Sequence, residues 1–260
     1  MIKAIFFDID GTLVSFKTHK VPQSTIKALN LLREKGIKIF IATGRHPSIM
    51  SLGNNIKELT FDGYVALNGQ YCFADNKVIY KNSICKEDIE NLVKFLKTSD
   101  YPCAFIEEEE YMYINHINDD VKSVLKSVNV PLPNIKDISR ALENDIFQLN
   151  PYIPAEKDHI FLDILKNCEA TRWNPLFLDI IPAGGGKHIA IEKVREYFGF
   201  AQEETMAFGD GENDITMLLN VGIGVAMGNA NKAVKDIAKH ITTSVDEDGI
   251  YLALKHFSII

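Results

Sequence analysis

Three short segments of the sequence combine carboxylate, hydroxyl and cationic side chains with glycine, a mixture that could bind a cation and an anionic ligand. They are Asp8-Ile9-Asp10-Gly11-Thr12, Thr43-Gly44-Arg45 and Gly209-Asp210-Gly211-Glu212-Asn213-Asp214. Each could be an ordinary loop with helix caps, because Asp, Asn, Thr and Gly favour those positions. Together they contain five carboxylates, and capping alone does not explain why four or five of them would gather at one edge of a sheet.

Repulsion between these carboxylates indicates a bound cation. Two unit charges about 4 Å apart repel by roughly 4 kcal/mol at an effective dielectric constant near 20. Mg²⁺ suits such a site, because it binds one or two carboxylates together with waters and a substrate phosphate. The histidines and cysteines form no cluster that favours a softer metal. Lys187, which follows three glycines, would add a second positive charge near the ligand.

Asp8 and Asp10 have a spacing that suits phosphoryl transfer. Two residues apart on an extended chain, their side chains point to the same side. One carboxylate could attack phosphorus and form an aspartyl-phosphate. The other could protonate the leaving oxygen and then activate water for the second step. Gly11 would supply a sharp turn, and Thr12 a hydroxyl near the substrate.

A parallel sheet would bring the polar segments together. Apolar runs typical of buried strands lie at residues 2–7, 37–42, 63–67, 205–208, 221–226 and 240–243. Helical patterns separate most of these runs, and the carboxyl ends of parallel strands form the ligand-binding edge of open α/β sheets. The sequence therefore predicts an α/β fold whose core is a doubly wound, mostly parallel (Rossmann-like) sheet.

The regular alternation is interrupted between residues 82 and 184. The predicted strands there are 103–106, 111–114, 147–150, 170–173 and 177–180. The predicted helices are 86–97, 119–127 and one within 155–166. Such hairpin-like pieces indicate an inserted α+β domain. We therefore expect a core of residues 1–82 and 184–260, split by a domain of residues 83–183.

The motifs, in this order, resemble those of the haloacid dehalogenase (HAD) superfamily of phosphatases. The matching residues are Asp8-Ile9-Asp10-Gly11-Thr12-Leu13, Thr43, Lys187 and Gly209-Asp210-Gly211-Glu212-Asn213-Asp214. The insert at 83–183, between the second and third motifs, is similar to the type C2B cap domain of the Cof-type sugar-phosphate phosphatases. The resemblance spans the whole chain.

This resemblance implies roles for the four acidic motif residues. Asp8 would be the nucleophile and a Mg²⁺ ligand. Asp10 would be the general acid/base, and its backbone carbonyl would also bind Mg²⁺. Asp210 would complete the metal site, and Asp214 would support the metal's waters or the motif lysine.

The resemblance also implies a phosphate-binding set. Lys187 would be catalytic and, with Thr43, would hold the transferring phosphoryl group. Gly44 and Asn213 would contact the substrate or its phosphate. Two interpretations of Arg45 stay open: it contacts the substrate's phosphate or sugar, or it closes a loop through a salt bridge.

Other nucleotide-binding motifs fit less well. Gly184-Gly185-Gly186-Lys187 lacks the G-x-x-x-x-G-K spacing of a P-loop, and His188 occupies the position of its Ser/Thr. His188 also departs from the small residue common after the motif lysine, and the sequence assigns it no role. The glycines at 222, 224 and 228 are mis-spaced for dinucleotide binding. The acidic segment 107–110 is interpreted as a solvated turn in preference to a metal site.

The expected function is Mg²⁺-dependent hydrolysis of small phosphorylated metabolites, most plausibly hexose or pentose phosphates. A phosphomutase of the same superfamily and a non-catalytic phosphometabolite-binding protein remain the alternatives. The cap domain would close over the active site and set its specificity. Its candidates for sugar recognition are Tyr113, Asn115, His116 and Trp173, although core packing or surface exposure is favoured for each.

The net charge and the cysteine content of the chain indicate which partners it binds and in which cellular compartment it works. The formal net charge is −7, whereas a general nucleic-acid coat or an anionic-membrane binder is normally basic. Four cysteines without a C-x-x-C pair suggest reduced thiols. The sequence shows neither a signal-peptide pattern nor a membrane-spanning apolar stretch. We expect a cytoplasmic monomer without nucleic-acid or membrane partners.

Overall fold

The computed structural model describes the chain except for residues 52, 109–111 and 128–129 and the side chain of Trp173. Residues 109 and 110 of the predicted solvated turn at 107–110 therefore lie outside the described residues. The same holds for the first residue of the predicted strand at 111–114 and for the proposed sugar contact by Trp173. Glu107 is buried at the end of a strand, so the prediction of a solvated turn was wrong for this residue.

The described strands and helices belong to two compact units, Met1–Lys81 with Gly186–Ile260 and Asn82–Gly185. The strands are β1 (Ala4–Phe7), β2 (Lys38–Ala42), β3 (Gly63–Ala66), β4 (Tyr71–Ala74), β5 (Lys77–Lys81), β6 (Cys103–Glu107), β7 (Tyr113–Ile114), β8 (Asn134–Ile135), β9 (Ile146–Pro151), β10 (Cys168–Asn174), β11 (Phe177–Pro182), β12 (Thr205–Gly209), β13 (Ile223–Ala226) and β14 (His240–Ile241). The α-helices are α1 (Gln23–Glu34), α2 (Lys86–Leu96), α3 (Asp119–Ser127), α4 (Asp158–Leu162), α5 (Lys187–Phe198), α6 (Ile215–Leu219), α7 (Lys232–Ile237) and α8 (Gly249–His256).

The first unit is built on an eight-stranded sheet in the order β14-β13-β12-β1-β2-β3-β4-β5. The six strands from β14 to β3 are parallel to one another, and β4 and β5 continue the sheet in antiparallel fashion. The order reverses direction around β1, as expected for a doubly wound sheet. The predicted α/β fold class is thereby confirmed.

Apolar side chains on both faces explain why the central strands are buried. Phe6 stacks on Phe40 with ring centroids 5.0 Å apart, and Phe7 stacks on Phe208 at 5.1 Å. Adjacent residues of a strand point to opposite faces, so the two stacks lie on opposite sides of the sheet. A strand covered on both sides needs a nearly continuous apolar sequence.

The β4–β5 hairpin was not among the predicted strands. Asp75 and Asn76 form its tight connection with φ values of 49° and 58°. Positive φ at both positions is typical of a type I′ turn, in which Asp and Asn are favoured. β4 pairs in antiparallel fashion with β3 and with the edge strand β5, and its burial alternates along the strand.

The second unit is built on a six-stranded sheet in the order β10-β11-β9-β6-β7-β8. Its pairs are antiparallel except for β7 with β8. Helix α2 buries Ile89, Leu92, Val93 and Leu96 because their spacing places them on one face. The helix predicted within 155–166 is the short α4.

No helix in the described part of the chain combines the length and the apolar character needed to cross a membrane.

Candidate active site

Three polar segments follow neighbouring strands at one edge of the first sheet. Asp8 follows β1, Thr43 follows β2 and Asp210 follows β12. Because β1 pairs in parallel with both β2 and β12, the three strands end side by side. The sheet thus places the predicted site residues at its carboxyl edge, where ligands of open α/β sheets bind.

The Lys187 ammonium is enclosed between two carboxylates. Lys187 is the first residue of α5, and its side chain has no exposed surface. Its Nζ donates to Asp8 Oδ1 at 2.7 Å and to Asp214 Oδ1 at 2.6 Å. Burial lowers the pKa of Lys187, but Asp214 and Asp8 together raise it above the ordinary value. The two carboxylates therefore favour the charged form of Lys187 at this edge of the sheet.

Asp8 is a nearly buried carboxylate with one oxygen engaged. Burial raises the pKa of Asp8, the charge of Asp214 raises it further, and Lys187 only partly opposes them. The net pKa lies well above the usual range. Within the described residues, the Asp8 side chain has a hydrogen bond only at Oδ1, from Lys187. The second oxygen therefore has no donor among the residues that the structure describes.

Asp214 is wholly engaged by protein groups. Its Oδ1 accepts from Lys187, and its Oδ2 accepts from the backbone N–H groups of Asp210 and Gly211, each at 3.0 Å. A side-chain carbon at Gly209 would lie 2.5 Å from Asp214 Cβ, so glycine permits this close approach. Asp214 therefore holds Lys187 and also shapes the loop after β12.

Each oxygen of the Asp210 carboxylate accepts one hydrogen bond. Thr12 Oγ1 donates to Oδ1 at 2.9 Å, and Asn229 Nδ2 donates to Oδ2 at 3.1 Å. Burial raises the pKa of Asp210 to about 6, against the opposing hydrogen bond from Thr12. The protein therefore fixes the orientation of this carboxylate while burial makes its charge costly.

These carboxylates fit a hard cation. One oxygen each of Asp8, Asp210 and Asp214 lies within 4.8 Å of the others. An all-oxygen donor set suits Mg²⁺. Asp214 accepts three hydrogen bonds and its side chain has no exposed surface. Each Asp210 oxygen accepts only one hydrogen bond, and Asp8 accepts one at Oδ1, so Asp8 and Asp210 are the two carboxylates that would hold the ion. The side chain of Asp10 is outside this group, and the contribution of its backbone carbonyl stays a prediction.

Arg45 forms a bidentate ion pair with Asp10. Its Nε donates to Asp10 Oδ2 at 2.8 Å, and its Nη2 donates to Asp10 Oδ1 at 2.7 Å. Its Nη1 lies 3.3 Å from the backbone carbonyl oxygens of Ile49 and Met50. Of the two interpretations left open, the structure contains the salt bridge. A contact between Arg45 and substrate stays a prediction.

The remaining phosphate-binding candidates adjoin a residue that the sequence analysis missed. Thr43 is buried, and its Oγ1 accepts from the backbone N–H of Arg45 at 3.1 Å. Asn213 Nδ2 donates to Asn68 Oδ1 at 3.0 Å. A side-chain carbon at Gly44 would lie 3.0 Å from the same oxygen. Asn68 therefore joins the loops that carry Gly44 and Asn213.

Asn68 and Asn229 both had a recognisable signal in the sequence. Each is an asparagine within a few residues of the end of a buried strand, β3 and β13 respectively. Asn68 adopts φ 53°, and the preceding Leu67 adopts φ 52°. Positive φ is a strained conformation for leucine, and such strain clusters at functional sites. Polar residues after strand ends would have identified both positions.

His188 lies beside the glycine turn that precedes α5. A side-chain carbon at Gly186, where φ is 124°, would lie 3.0 Å from His188 Nδ1. This nitrogen is buried and has no hydrogen-bond partner among the described residues. The structure assigns His188 no catalytic role.

The candidates for sugar recognition in the second unit are mostly structural. Tyr113 is fully buried, as the favoured interpretation predicted. Asn115 Oδ1 accepts from the backbone N–H of Cys103 at 2.8 Å, so this side chain connects the end of β7 to the start of β6. His116 is partly exposed.

Comparison with known proteins gives consistent matches over the whole chain. A family model of haloacid dehalogenase-like hydrolases matches residues 5–254. The Bacillus subtilis protein YkrA is 35% identical over 258 residues, which cover 99% of this chain and 98% of that protein.

Two solved structures are similar in both sequence and fold. The HAD subclass IIB sugar phosphatase BT4131 is 42% identical with a TM-score of 0.87, and the match covers 99% of this chain and 100% of that one. BT1666 from Bacteroides thetaiotaomicron, described among phosphatases of the same superfamily, is 40% identical with a TM-score of 0.91. That match covers 100% of this chain and 96% of the other.

Proposed function

The chain belongs to the haloacid dehalogenase-like hydrolases, as a Cof-type member, and on this basis we propose that it is a Mg²⁺-dependent phosphatase. Its substrates are small phosphorylated metabolites, with hexose and pentose phosphates as the preferred class. The substrate class is supported by the 42% identity to a sugar phosphatase along essentially the full length of both chains.

The observation that carries this proposal is the environment of Asp8. The carboxylate lies at the sheet edge, with one oxygen held by the buried Lys187 and the other without a donor in the described part of the chain. A nucleophile needs such a combination of fixed orientation and a free oxygen. Lys187 offsets the negative charge that a phosphate brings, which is the main requirement of phosphoryl transfer.

In the first chemical step, an Asp8 oxygen attacks phosphorus and the bond from phosphorus to the leaving oxygen breaks. Asp10 gives a proton to the leaving oxygen, so the sugar departs as an alcohol. The phosphoryl group is then covalently bound to Asp8. Thr43 and Lys187 hold its oxygens, with Asn213 and the Gly44 backbone next to them.

In the second step, Asp10 accepts a proton from water, and the water oxygen attacks phosphorus. The bond between phosphorus and Asp8 breaks, which releases inorganic phosphate and restores the carboxylate. Both Asp10 oxygens accept one hydrogen bond from Arg45, and each keeps a second lone pair at which a proton can be exchanged with substrate or water.

Asp8, Asp210 and the backbone carbonyl of Asp10 would hold the magnesium ion. When bound, the ion supplies positive charge that favours the ionised carboxylates and neutralises phosphate oxygens. Asp214 contributes by keeping Lys187 and the loop after β12 in place.

Residues 83–183 form the cap domain in this proposal, and residues 1–82 and 184–260 form the catalytic core. The cap recognises the part of the substrate beyond the phosphate and excludes water during catalysis. Because the roles are separate, a small aryl phosphate tests the core alone, and a panel of sugar phosphates tests the cap.

The decisive experiment measures inorganic phosphate released from p-nitrophenyl phosphate and from hexose and pentose phosphates, with Mg²⁺ and with EDTA. We expect steady, EDTA-sensitive release without a bisphosphate activator. An isomerised sugar phosphate in place of free phosphate would identify a mutase. Binding of sugar phosphate without metal-dependent turnover would identify a non-catalytic binding protein.

A further inference from the structure

Asn229 joins three segments of the first unit at the edge that carries Asp8. Its Nδ2 donates to the backbone carbonyl of Gly11 at 2.9 Å and to Asp210 Oδ2 at 3.1 Å. Its Oδ1 accepts from the backbone N–H of Val245 at 3.0 Å. One amide therefore connects the loop after β1, the loop after β12 and the turn that follows β14.

The partners determine which end of the amide faces Asp210. The backbone N–H of Val245 can only donate, and the backbone carbonyl of Gly11 can only accept. The opposite amide orientation would lose both bonds. The group directed at Asp210 is therefore the NH₂ of Asn229, which is a donor that a carboxylate can accept.

The Asp210 carboxylate has little freedom to rotate. Thr12 occupies Oδ1 and Asn229 occupies Oδ2 as hydrogen-bond donors. Gly11 packs so closely that a side-chain carbon there would collide with Asp210 Oδ2. Rotation about the side-chain bonds would break one of these bonds or press an oxygen against the Gly11 backbone.

We propose that Asn229 is a positioning residue for the cation site, acting through Asp210. This inference rests on the proposed Mg²⁺-dependent function. Mg²⁺ demands nearly ideal octahedral geometry, so a ligand held in one orientation binds it better than one that must be ordered first. Outer partners of metal ligands typically contribute about 10–100-fold to metal affinity.

The test compares Asn229→Ala with wild-type protein in a Mg²⁺ titration of p-nitrophenyl phosphate hydrolysis. The expected change is an increase of about tenfold or more in the half-saturating Mg²⁺ concentration, because that is the usual contribution of such partners. Much of the wild-type kcat should return at saturating Mg²⁺, since Asn229 touches neither Asp8 nor Asp10 in the described contacts.

Ser15→Ala is the matched control for the possibility that Asn229 only connects neighbouring segments and does not position Asp210. Ser15 Oγ donates to Asp246 Oδ1 at 2.6 Å, which links the loop after β1 to the same turn that Asn229 reaches through Val245. This variant weakens the connection between the two segments and leaves the bonds to Asp210 in place. We expect its half-saturating Mg²⁺ concentration to stay within about twofold of wild type, because the Ser15 hydroxyl bonds Asp246 and the backbone of Lys17 and Thr18 and is not a partner of Asp210.

A second measurement needs no turnover. Mg²⁺ bound to the folded state raises the melting temperature by mass action, so the Mg²⁺ dependence of this rise reports affinity directly. The rise should require higher Mg²⁺ concentrations in Asn229→Ala than in wild type or Ser15→Ala. If Asn229→Ala does not fold, Asn229→Ser, whose hydroxyl is too short to reach Asp210, is judged by the same criteria.

The outcomes separate this inference from the proposed function. A wild-type protein without phosphatase activity but with a Mg²⁺-dependent rise in melting temperature overturns the proposed function, and the variants then test the role of Asn229 by melting temperature. Unchanged Mg²⁺ dependence in the Asn229 variant overturns the positioning role. An equal rise of the half-saturating Mg²⁺ concentration in Asn229→Ala and Ser15→Ala also overturns it. Both variants would then act only by weakening the connection between the loop after β1 and the turn that follows β14.

Discussion

Lys187 and Asp214 form an ion pair from which water is excluded on both sides. The distance from Nζ to Oδ1 is 2.6 Å, and neither side chain has exposed surface. Asp8 joins the pair on its other side with a distance of 2.7 Å. Removing one member of a buried pair leaves a charge without compensation, which costs more stability than the pair itself contributes.

Replacement of Lys187 by methionine should therefore affect folding as well as catalysis. We expect the free energy of unfolding to fall by about 3–5 kcal/mol, because Asp8 and Asp214 lose their shared cation. Phosphatase turnover should be abolished. Urea unfolding with EDTA present measures the first effect, and phosphate release measures the second. Lys193→Met, on an exposed part of α5, is the control and should leave the free energy of unfolding and the turnover nearly unchanged. If Lys193→Met lost as much stability and activity as Lys187→Met, the buried ion pair would not be the cause.

Asp10→Asn should separate the two chemical steps. With p-nitrophenyl phosphate, the leaving group departs without a proton, so formation of the aspartyl-phosphate persists. Hydrolysis should be slow because no base activates water. Stopped-flow absorbance should show a burst of about one p-nitrophenol per enzyme.

Asp8→Asn should keep the fold and show neither burst nor turnover. Near-normal turnover in Asp8→Asn would rule out a covalent intermediate.

Arg45→Ala tests whether the arginine contacts substrate. The Arg45–Asp10 pair is partly exposed, with 24% and 40% of the two side chains accessible, so its loss should cost at most about 1 kcal/mol of stability. If Arg45 binds the substrate, KM for sugar phosphates should rise by about tenfold or more, as expected for loss of a charged hydrogen bond. Steady-state kinetics with Arg45→Lys as the comparison measures this. An unchanged KM would leave Arg45 with the salt bridge alone.

The stacked rings of His240 and His256 should make stability depend on pH. Their centroids lie 4.4 Å apart. Burial lowers the pKa of His240, and His256 lowers it further. The folded pKa of His240 lies below the unfolded value of about 6.5. The contribution of the neutral His240 ring to the free energy of unfolding is therefore complete above that pH, and it is lost as the pH falls through the folded pKa.

Replacing His256 by glutamine should raise the pKa of His240, since one of its two causes disappears. An NMR titration of the histidine ring protons measures this change. His19→Gln, at an exposed position, is the control and should leave the His240 pKa where it is. An unaltered His240 pKa in His256→Gln would show that burial alone is responsible.

Local patterns were sufficient to predict most of the sheet. The runs that became β1, β2 and β12 are apolar, short and followed at once by polar residues, and each feature can be recognised without knowledge of any contact. The β4–β5 hairpin shows the limit, because β4 is an apolar run of only four residues and the edge strand β5 begins and ends with lysine. Its signal was in the turn at Asp75 and Asn76.

The amino-acid sequence by itself determined which residues could do chemistry and that strand ends would carry them. The tertiary structure decided which of them touch. Asp214 engages Lys187, and Asn229 engages Asp210 and Gly11, across separations in the chain that no local periodicity covers. Such pairs depend on strand order and on the path of each loop beyond its strand. The spacing of residues along the chain specifies neither, whereas the packed sheet specifies both.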